Sequence, residues 1–346
     1  MARNGAVIDP PGVQPAKQKH TATASWPERA WAGFAPFAGL VSVLVLLCAF
    51  FTITQPQFAT YDNLLNILET NASLIVVSVG LTFVMLVGGF DLSIGGVVVL
   101  SGVVLAKLIT SAGIPVAVAI PLVILGAGAF GAVANGMTIA KLGLSFFVVT
   151  LGTLTMTRGA ALLIAGGETQ DLYDEKVIRW IGGGDVITSA LPAPAVLALL
   201  VLVIGALILR FTGYGRIIYA VGGNPEAARL AGINITAIRV SAYAISGALA
   251  GLAGIMDAGR LAAASPDGAQ GLELTAAAAV LLGGTSFVGG SGTLIGTLLG
   301  ALFLGVVQNG LIIAEISVYW QGVVTGGVLI LSVLADRVRR GRAATT

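Results

Sequence analysis

The most constraining feature of this sequence is a series of long apolar stretches, most of them about as long as a membrane-crossing helix. A helix needs about 20 mostly apolar residues to cross the hydrocarbon core of a bilayer. Only 10% of the 346 residues are charged, whereas a soluble globular protein carries about 25%. So few charges cannot cover an ordinary water-facing surface. The sequence therefore predicts an all-α, polytopic transmembrane helix bundle.

The apolar stretches predict about ten membrane spans joined by short loops. In chain order the predicted spans are 34–54, 66–87, 93–112, 116–139, 146–165, 193–211, 237–258, 273–287, 292–313 and 318–335. The stretch 273–287 is short for a span, as a broken or re-entrant helix would be. The 48 glycines lie mainly inside these apolar runs, where small residues let membrane helices approach each other closely.

The distribution of basic residues favours an even number of spans with both termini in the cytoplasm. Lys and Arg collect on the cytoplasmic side of membrane proteins, and most of the 18 here fall in the segments that this arrangement places inside. The predicted organisation is a disordered cytoplasmic tail 1–32, a transmembrane domain 33–338 with a cytoplasmic loop 212–236, and a cytoplasmic tail 339–346. The basic run Arg337–Arg342 is interpreted as a topology anchor.

Several function classes are excluded by what the sequence lacks. With one cysteine, Cys48, and one histidine, His20, we expect no internal disulfide, no metal site, no cofactor and no catalytic residues of these types. Nucleic-acid binding would need a soluble basic module, and the sequence contains none. The G-x-x-x-x-G-K-[ST] phosphate loop is also absent, so any use of ATP requires a separate subunit.

The most informative local motif lies in the predicted inner loop, where residues 221–233 read VGGNPEAARLAGI. Gly222 and Gly223 end the preceding segment. Asn224 suits a helix N-cap and Pro225 the first helical position. A carboxylate at 226 favours the helix dipole, and a glycine at 232 stops the helix. Local chemistry alone thus predicts a short cytoplasmic helix, which could equally be a well-capped loop without a partner.

The stretch E-A-A-x-x-x-G, from Glu226 to Gly232, resembles the cytoplasmic loop signature of importer permeases of the ATP-binding cassette type. The resemblance implies that this helix docks in a groove on a cytoplasmic ATPase. The downstream Ile-x-Leu-Pro of the longer signature is missing, as in a divergent branch. Small alanines are expected to let the ATPase approach. The predicted coupling residues are Gly223, Asn224, Pro225, Glu226, Ala227, Ala228 and Gly232.

Further stretches extend the resemblance from about residue 60 to 338. GGFDLSIG at 88–95, SFFVVTLG at 145–152 and ELTAAAAVLLGGTSFVGG at 273–290 are similar to those of permeases for ribose, xylose, arabinose and related sugars. The resemblance implies a multi-pass protein of the bacterial inner membrane, surrounded by lipid. It also implies three partners: a second permease subunit, most simply in a homodimer, a cytoplasmic ATPase and an extracytoplasmic sugar-binding protein.

Polar residues inside the apolar runs are candidates for the translocation pathway, because ionisable groups within a membrane are costly and often functional. The candidates are Asn71, Asp91, Asn135, Arg158 and Asn309. Each also has a structural explanation. Asp91 can cap the next helix together with Ser93, Arg158 can snorkel to the headgroups or pair with a neighbouring helix, and the amides can bond between helices.

Other functions remain open at this level. A permease for branched-chain amino acids or nucleosides would have a related fold. A secondary transporter driven by an ion gradient would usually show ionisable residues or interrupted helices near the midplane, and here only Asp91 and Arg158 would serve. An intramembrane enzyme is a third alternative, but no nucleophile–base pair supports it.

Overall fold

The computed structural model describes residues 37–187, 191–317 and 319–343, and they are mostly helical. The predicted tail 1–32 lies outside the described residues, as do 344–346 of the predicted tail 339–346. The described part of that second tail continues the final helix to Ala343.

Fourteen α-helices and one π-helix are found in the described ranges. The α-helices are α1 Ala38–Thr54, α2 Tyr61–Leu86, α3 Ile94–Thr110, α4 Val116–Phe130, α5 Thr138–Leu142, α6 Phe146–Ala165, α7 Lys176–Gly183, α8 Ala193–Phe211, α9 Gly213–Gly223, α10 Pro225–Leu230, α11 Ile235–Leu261, α12 Leu272–Leu282, α13 Leu294–Ile313 and α14 Tyr319–Ala343. The π-helix, Gly131–Met137, joins α4 to α5 without a break.

Short strands lie in the loops between helices. Gln170–Asp171 (β1) pairs antiparallel with Ala263–Ala264 (β4), and Asp185–Ile187 (β2) pairs with Leu191–Pro192 (β3). Three of these strands and α7 lie in the predicted outer loop 166–192, so the described residues of this loop contain regular secondary structure. Helix α7 packs tightly on α11, since a Cβ at Gly259 would overlap the carbonyl oxygen of Ile178.

The helices agree with the polytopic membrane fold predicted from the sequence. Each predicted span contains a helix, and α6 and α8 have the predicted bounds 146–165 and 193–211. Six helical segments in the described residues are long and apolar enough to cross a membrane, one of them being the run of α4, the π-helix and α5. The apolar helices α1, α3, α12 and Tyr319–Leu334 of α14 are shorter.

The segment predicted as 273–287 forms only the eleven-residue helix α12. Its end is explained by two glycines. A Cβ at Gly283 would overlap the backbone of Gly296, and Gly284 has the left-handed φ of +86°. The tight contact and the turn stop the helix at Leu282, whereas apolarity alone continues for several residues. The helix is short, as expected, but its predicted C-terminal boundary was wrong.

Helix α11 lies at the centre of the bundle and contacts α2, α3, α4, α7 and the π-helix. Small residues allow its close approach to α4: a Cβ at Gly251 would lie 2.8 Å from the Cβ of Ala127. By contrast, large apolar side chains point outward from α4 and α6, including Leu125 (71% exposed) and Leu163 (84%). Apolar outer faces of this kind suit contact with lipid.

Candidate functional site

The short helix predicted in the inner loop is present as α10, Pro225–Leu230, and its caps follow the local chemistry. The Asn224 side chain accepts a hydrogen bond from the amide of Ala227 at 3.0 Å, and Pro225 occupies the first turn. Gly232 has a φ of +82°, which a side chain would strain. The predicted helix start and stop are therefore confirmed.

The outward face of α10 differs from the prediction at one residue. The side chain of Ala228 is 4% exposed and packs against the chain's own core. Ala228 therefore does not face outward, and a bulky residue at this position would first disturb internal packing. Ala227 is exposed, and Leu230 is 83% exposed. These two residues, with Glu226, form the face that α10 offers to the surroundings.

Glu226 and Arg229 form an ion pair on this face, with 2.7 Å between Oε2 and the guanidinium. The carboxylate of Glu226 raises the pKa of Arg229 above its ordinary value, through a hydrogen bond and charge attraction. Because both side chains are exposed, the pair contributes little stability. It nevertheless fixes opposite charges next to each other on the surface of α10.

Directly before α10, three chain segments meet backbone to backbone. We call this contact of Gly88, Gly222, Gly289 and Gly290 the glycine junction. The amide of Gly290 donates to the carbonyl oxygen of Leu86 at 3.0 Å. A Cβ at Gly222 would overlap that oxygen, and one at Gly290 would lie 2.6 Å from Cα of Gly223. The stretch 88–95 and the glycine-rich end of the stretch 273–290, both noted in the sequence, thus meet the chain just before α10 through the backbone.

Asp91 lies beside the glycine junction and is the centre of a buried polar network. Its side chain is 1% exposed. Oδ1 accepts hydrogen bonds from the amide and hydroxyl of Ser93 at 3.0 and 2.6 Å, and Oδ2 accepts one from Ser246 of α11 at 2.8 Å. Ser93 occupies the N-cap position of α3 but makes no side-chain cap bond. Asp91 therefore joins α3 to α11 as well as shaping the start of α3.

Asn135 enters the same network from the π-helix. Its amide nitrogen donates to the hydroxyl of Ser93 at 2.8 Å, and its oxygen accepts from Thr153 of α6 at 2.8 Å. Single π-helical turns inside α-helices are rare and are frequent at functional sites. Here the π-helix carries the fully buried Asn135. The network links four membrane segments through Asp91 and Asn135.

Arg158 of α6 points to the start of α12. Its guanidinium lies 3.7 Å from a carboxylate oxygen of Glu273 and donates to the carbonyl oxygen of Ala269 at 3.1 Å. Of the two structural explanations for Arg158, pairing with a neighbouring helix is confirmed. The sequence analysis did not identify Glu273 as the partner, because the two residues are far apart in the chain.

The other two candidate amides have different surroundings. Asn309 of α13 and Asn63 of α2 exchange hydrogen bonds through their amides, at 2.8 and 3.0 Å, which is an interhelical clamp. Asn71 is 4% exposed, donates to the carbonyl oxygen of Ile67 at 2.7 Å and lines a cavity. The structure thus places Asn71 beside open space, whereas Asn309 is engaged with Asn63.

The cavity beside Asn71 has a volume of about 320 Å³, within the range of about 300–1,000 Å³ typical of small-molecule sites. Its polar lining includes Ser73, Asp257, Gln308 and Gln321. A second cavity, of about 400 Å³ between α3 and α4, has an almost entirely apolar lining. Among the cavities of the described residues, the first therefore has the chemistry for a hydrophilic solute.

Asp257 is the residue that the sequence analysis missed. It lies inside the predicted span 237–258, and an ionisable residue within a span is a functional candidate by default. The same reasoning that identifies Asp91 and Arg158 as candidates applies equally to Asp257. Helix α11 rises about 1.5 Å per residue, so Asp257 lies roughly 33 Å along it from Ile235. The polar cavity is thus at the opposite end of α11 from α10.

A family model described as "Branched-chain amino acid transport system / permease component" matches residues 63–333. The chain belongs to this permease family. The matched range includes α10, the glycine junction, the Asp91 network and the whole lining of the polar cavity. Relatives of this family are named as permeases, which are transport components, and the long apolar helices agree with a multi-pass protein of the inner membrane.

Individual permeases cover nearly the whole chain. The ribose import permease protein RbsC of Haemophilus influenzae is 38% identical over 296 residues, 85% of this chain and 90% of that protein. RbsC of Escherichia coli is 39% identical over 307 residues, 87% and 93% of the two chains. The L-arabinose ABC transporter permease protein AraH of Azospirillum brasilense is 34% identical over 305 residues, 88% of each chain. No solved structure matches this chain significantly.

Proposed function

We propose that this chain is the membrane-spanning permease subunit of an ATP-binding-cassette importer that carries a monosaccharide or related polyol across the bacterial inner membrane. The observation that carries the proposal is its similarity, over 85–88% of the chain, to permeases named for ribose and L-arabinose. The polar cavity supports it, because its amides, hydroxyls and charged groups can all form hydrogen bonds with a solute rich in hydroxyl groups.

The partners follow from this function. A cytoplasmic ATPase must supply the energy, because the chain has no phosphate loop. An extracytoplasmic sugar-binding protein would deliver the solute, and a second copy of the chain would complete the membrane unit as a homodimer embedded in lipid. We assign α10 with its caps, Gly223 to Gly232, as the element that contacts the ATPase, and the polar cavity as the part of the pathway on the opposite face.

The function is tested by reconstituting the permease in liposomes with its ATPase and binding protein. Uptake of labelled D-ribose, L-arabinose, D-allose and L-leucine would be measured with ATP inside the vesicles. We expect ATP-dependent uptake of at least one sugar and none of leucine. Uptake of leucine alone would contradict the proposal and support a permease for branched-chain amino acids. Uptake driven by an ion gradient without ATP would show that the chain is a secondary transporter.

The proposed topology has ten spans, both termini inside and the loop 166–192 outside. The six long helices and four shorter apolar helices support this number. On a Cys48→Ala background, a cysteine at exposed Asp174 should react with a membrane-impermeant thiol reagent added to intact cells. A cysteine at exposed Arg229 should react only after the cells are opened. Labelling of Arg229→Cys from outside would show that the chain has the opposite orientation in the membrane.

The exposed face of α10 provides a test of contact with the ATPase. We expect Ala227→Trp to weaken binding of the ATPase by about tenfold, because a bulky side chain on a closely packed interface costs at least about 1.4 kcal/mol. Insertion into the membrane should be normal, since Ala227 is exposed. The matched control is Ala112→Trp, at an exposed position in a loop remote from α10. Co-purification of the ATPase measures both variants, and equal recovery would exclude this face of α10 from the contact.

A further inference from the structure

The carboxylate of Asp257 is only partly used by the fold. Oδ1 accepts a hydrogen bond from the hydroxyl of Ser73 on α2 at 2.7 Å. Among the described residues, nothing donates to Oδ2. Arg260 lines the same cavity but is farther from this carboxylate than the 4.0 Å limit of an ion pair. Asp257 lines the polar cavity and is half-buried. A membrane helix therefore carries a carboxylate that lines the cavity and has one acceptor oxygen without a donor among the described residues.

Other cavity groups complement this acceptor. The amides of Gln308 and Gln321 line the same space, and within the described parts of the chain neither has a hydrogen-bond partner. Each amide offers two N–H donors and one acceptor oxygen. Together with the carboxylate, they can receive and donate hydrogen bonds to several hydroxyls of one small molecule. These three side chains come from α11, α13 and α14, so the site exists only in the folded bundle.

We propose that Asp257 is a solute contact in the permease itself, accepting hydrogen bonds from the hydroxyl groups of the sugar as it leaves the binding protein. The inference rests on the proposed function and adds a site to it. Polar groups that pair with solute hydroxyls reject molecules lacking them, because the buried acceptor is then left unsatisfied. The cavity would accordingly add a selective step beyond that of the external binding protein.

Two substitutions separate hydrogen bonding from charge. Asp257→Leu removes both acceptor oxygens but keeps the branched shape of the side chain, whereas Asp257→Asn removes the charge and keeps one oxygen. For a hydroxyl contact, we expect Asp257→Leu to lower ATP-dependent sugar uptake at least tenfold and Asp257→Asn to lower it less than fivefold. Equal, large losses in both variants would point to a cation or ammonium contact and overturn the proposal. The matched control is Asp267→Leu, an exposed carboxylate outside the cavity lining, for which uptake should stay normal.

Occupancy of the cavity is measured separately by thiol protection. On the Cys48→Ala background, a cysteine at Gln308 would be labelled with a small impermeant thiol reagent in the reconstituted complex. We expect sugar-loaded binding protein to slow labelling at least threefold more than empty binding protein does. Adding Asp257→Leu should remove this difference while the variant still co-purifies with its ATPase, which a misfolded variant would not do. If the difference persists in Asp257→Leu, Asp257 is not the contact.

The two proposals fail in different ways. If the unaltered complex takes up none of the sugars, the proposed function is wrong, whatever the variants do. If it takes up a sugar normally and Asp257→Leu does so as well, the function stands and the proposed contact is wrong.

Discussion

Sugar uptake is expected to fall about tenfold or more when Gly222 is replaced by alanine. The new Cβ would overlap the carbonyl oxygen of Leu86 and lie 2.5 Å from the amide nitrogen of Gly290. These two atoms are joined by a hydrogen bond of 3.0 Å, so the methyl group would intrude on the bond that connects the two loops. Both obstacles are backbone atoms and cannot rotate away. Overpacking of this kind costs about 1–3 kcal/mol or more.

The effect should appear in the link between ATP hydrolysis and transport. Because Gly222 lies two residues before the Asn224 cap of α10, opening the glycine junction would separate the start of α10 from the loops that follow α2 and α12. The measurement is the number of sugar molecules taken up per ATP hydrolysed in the reconstituted complex. Valine at 222 should be worse than alanine.

The matched control is Gly213→Ala at the start of the same helix, α9. Its Cβ would lie 3.8 Å from the nearest atom, the Arg216 guanidinium, which is ordinary contact. We expect unchanged uptake in this control. Normal uptake per ATP in Gly222→Ala would show that the junction is not needed for transport.

The second large effect is expected at Asp91. Replacement by leucine leaves the amide and hydroxyl of Ser93 and the hydroxyl of Ser246 without their acceptor. Each unsatisfied buried donor costs about 1–3 kcal/mol. The apparent Tm of the purified permease should therefore fall by at least about 5 °C. Asparagine keeps one acceptor oxygen, so Asp91→Asn should give a smaller fall.

Asp62→Leu is the comparison for Asp91→Leu, because Asp62 is an exposed carboxylate on α2. Its Tm should change by no more than about 1–2 °C, as for most surface substitutions. A Tm for Asp91→Leu equal to that of Asp62→Leu would show that the network does not stabilise the fold. Measurements without ATPase or binding protein separate this effect from transport.

The sequence predicted helices well where local chemistry defines both ends. Helix α6 begins after Ser145 and ends at Gly166, whose φ of +68° terminates it. Helix α10 is defined by Asn224 and Gly232 in the same way. By contrast, α12 stops at Leu282 because Gly283 meets Gly296 from a later segment. Such a contact leaves no trace in a local apolar pattern, so the predicted boundary was too late.

In the candidate site, too, local sequence predicted some features, whereas contacts with distant segments could not be predicted. Residue type identified Asp91, Asn135 and Arg158 as unusual within apolar segments, and all three lie in polar contacts between helices. Their partners could not be predicted, since Ser246 is 155 positions from Asp91 and nothing local connects them. The inward direction of Ala228 was also missed, because a six-residue helix has too few residues for a readable periodic pattern.

The sequence alone does not show which of the two glycines before α10 excludes a side chain. Both Gly222 and Gly223 were interpreted as the end of a segment, and α9 does end there. Only Gly222 is tightly enclosed, since a Cβ at Gly223 would meet nothing within 4 Å. Thus the pattern located the turn, and packing shows which of the two positions excludes a side chain.

The uninterrupted length of α11 has a mechanical consequence. The helix contains no proline and has 27 residues, so it is about 40 Å long. About a third of the way along it Tyr243 donates to the carbonyl oxygen of Phe90 at 3.2 Å, and near the far end Asp257 borders the cavity. If a helix of this length tilted as a rigid rod by about 5°, its far end would move by about 3.5 Å. The cavity mouth would then widen or narrow by more than the radius of a water molecule without the loss of any hydrogen bond within the helix.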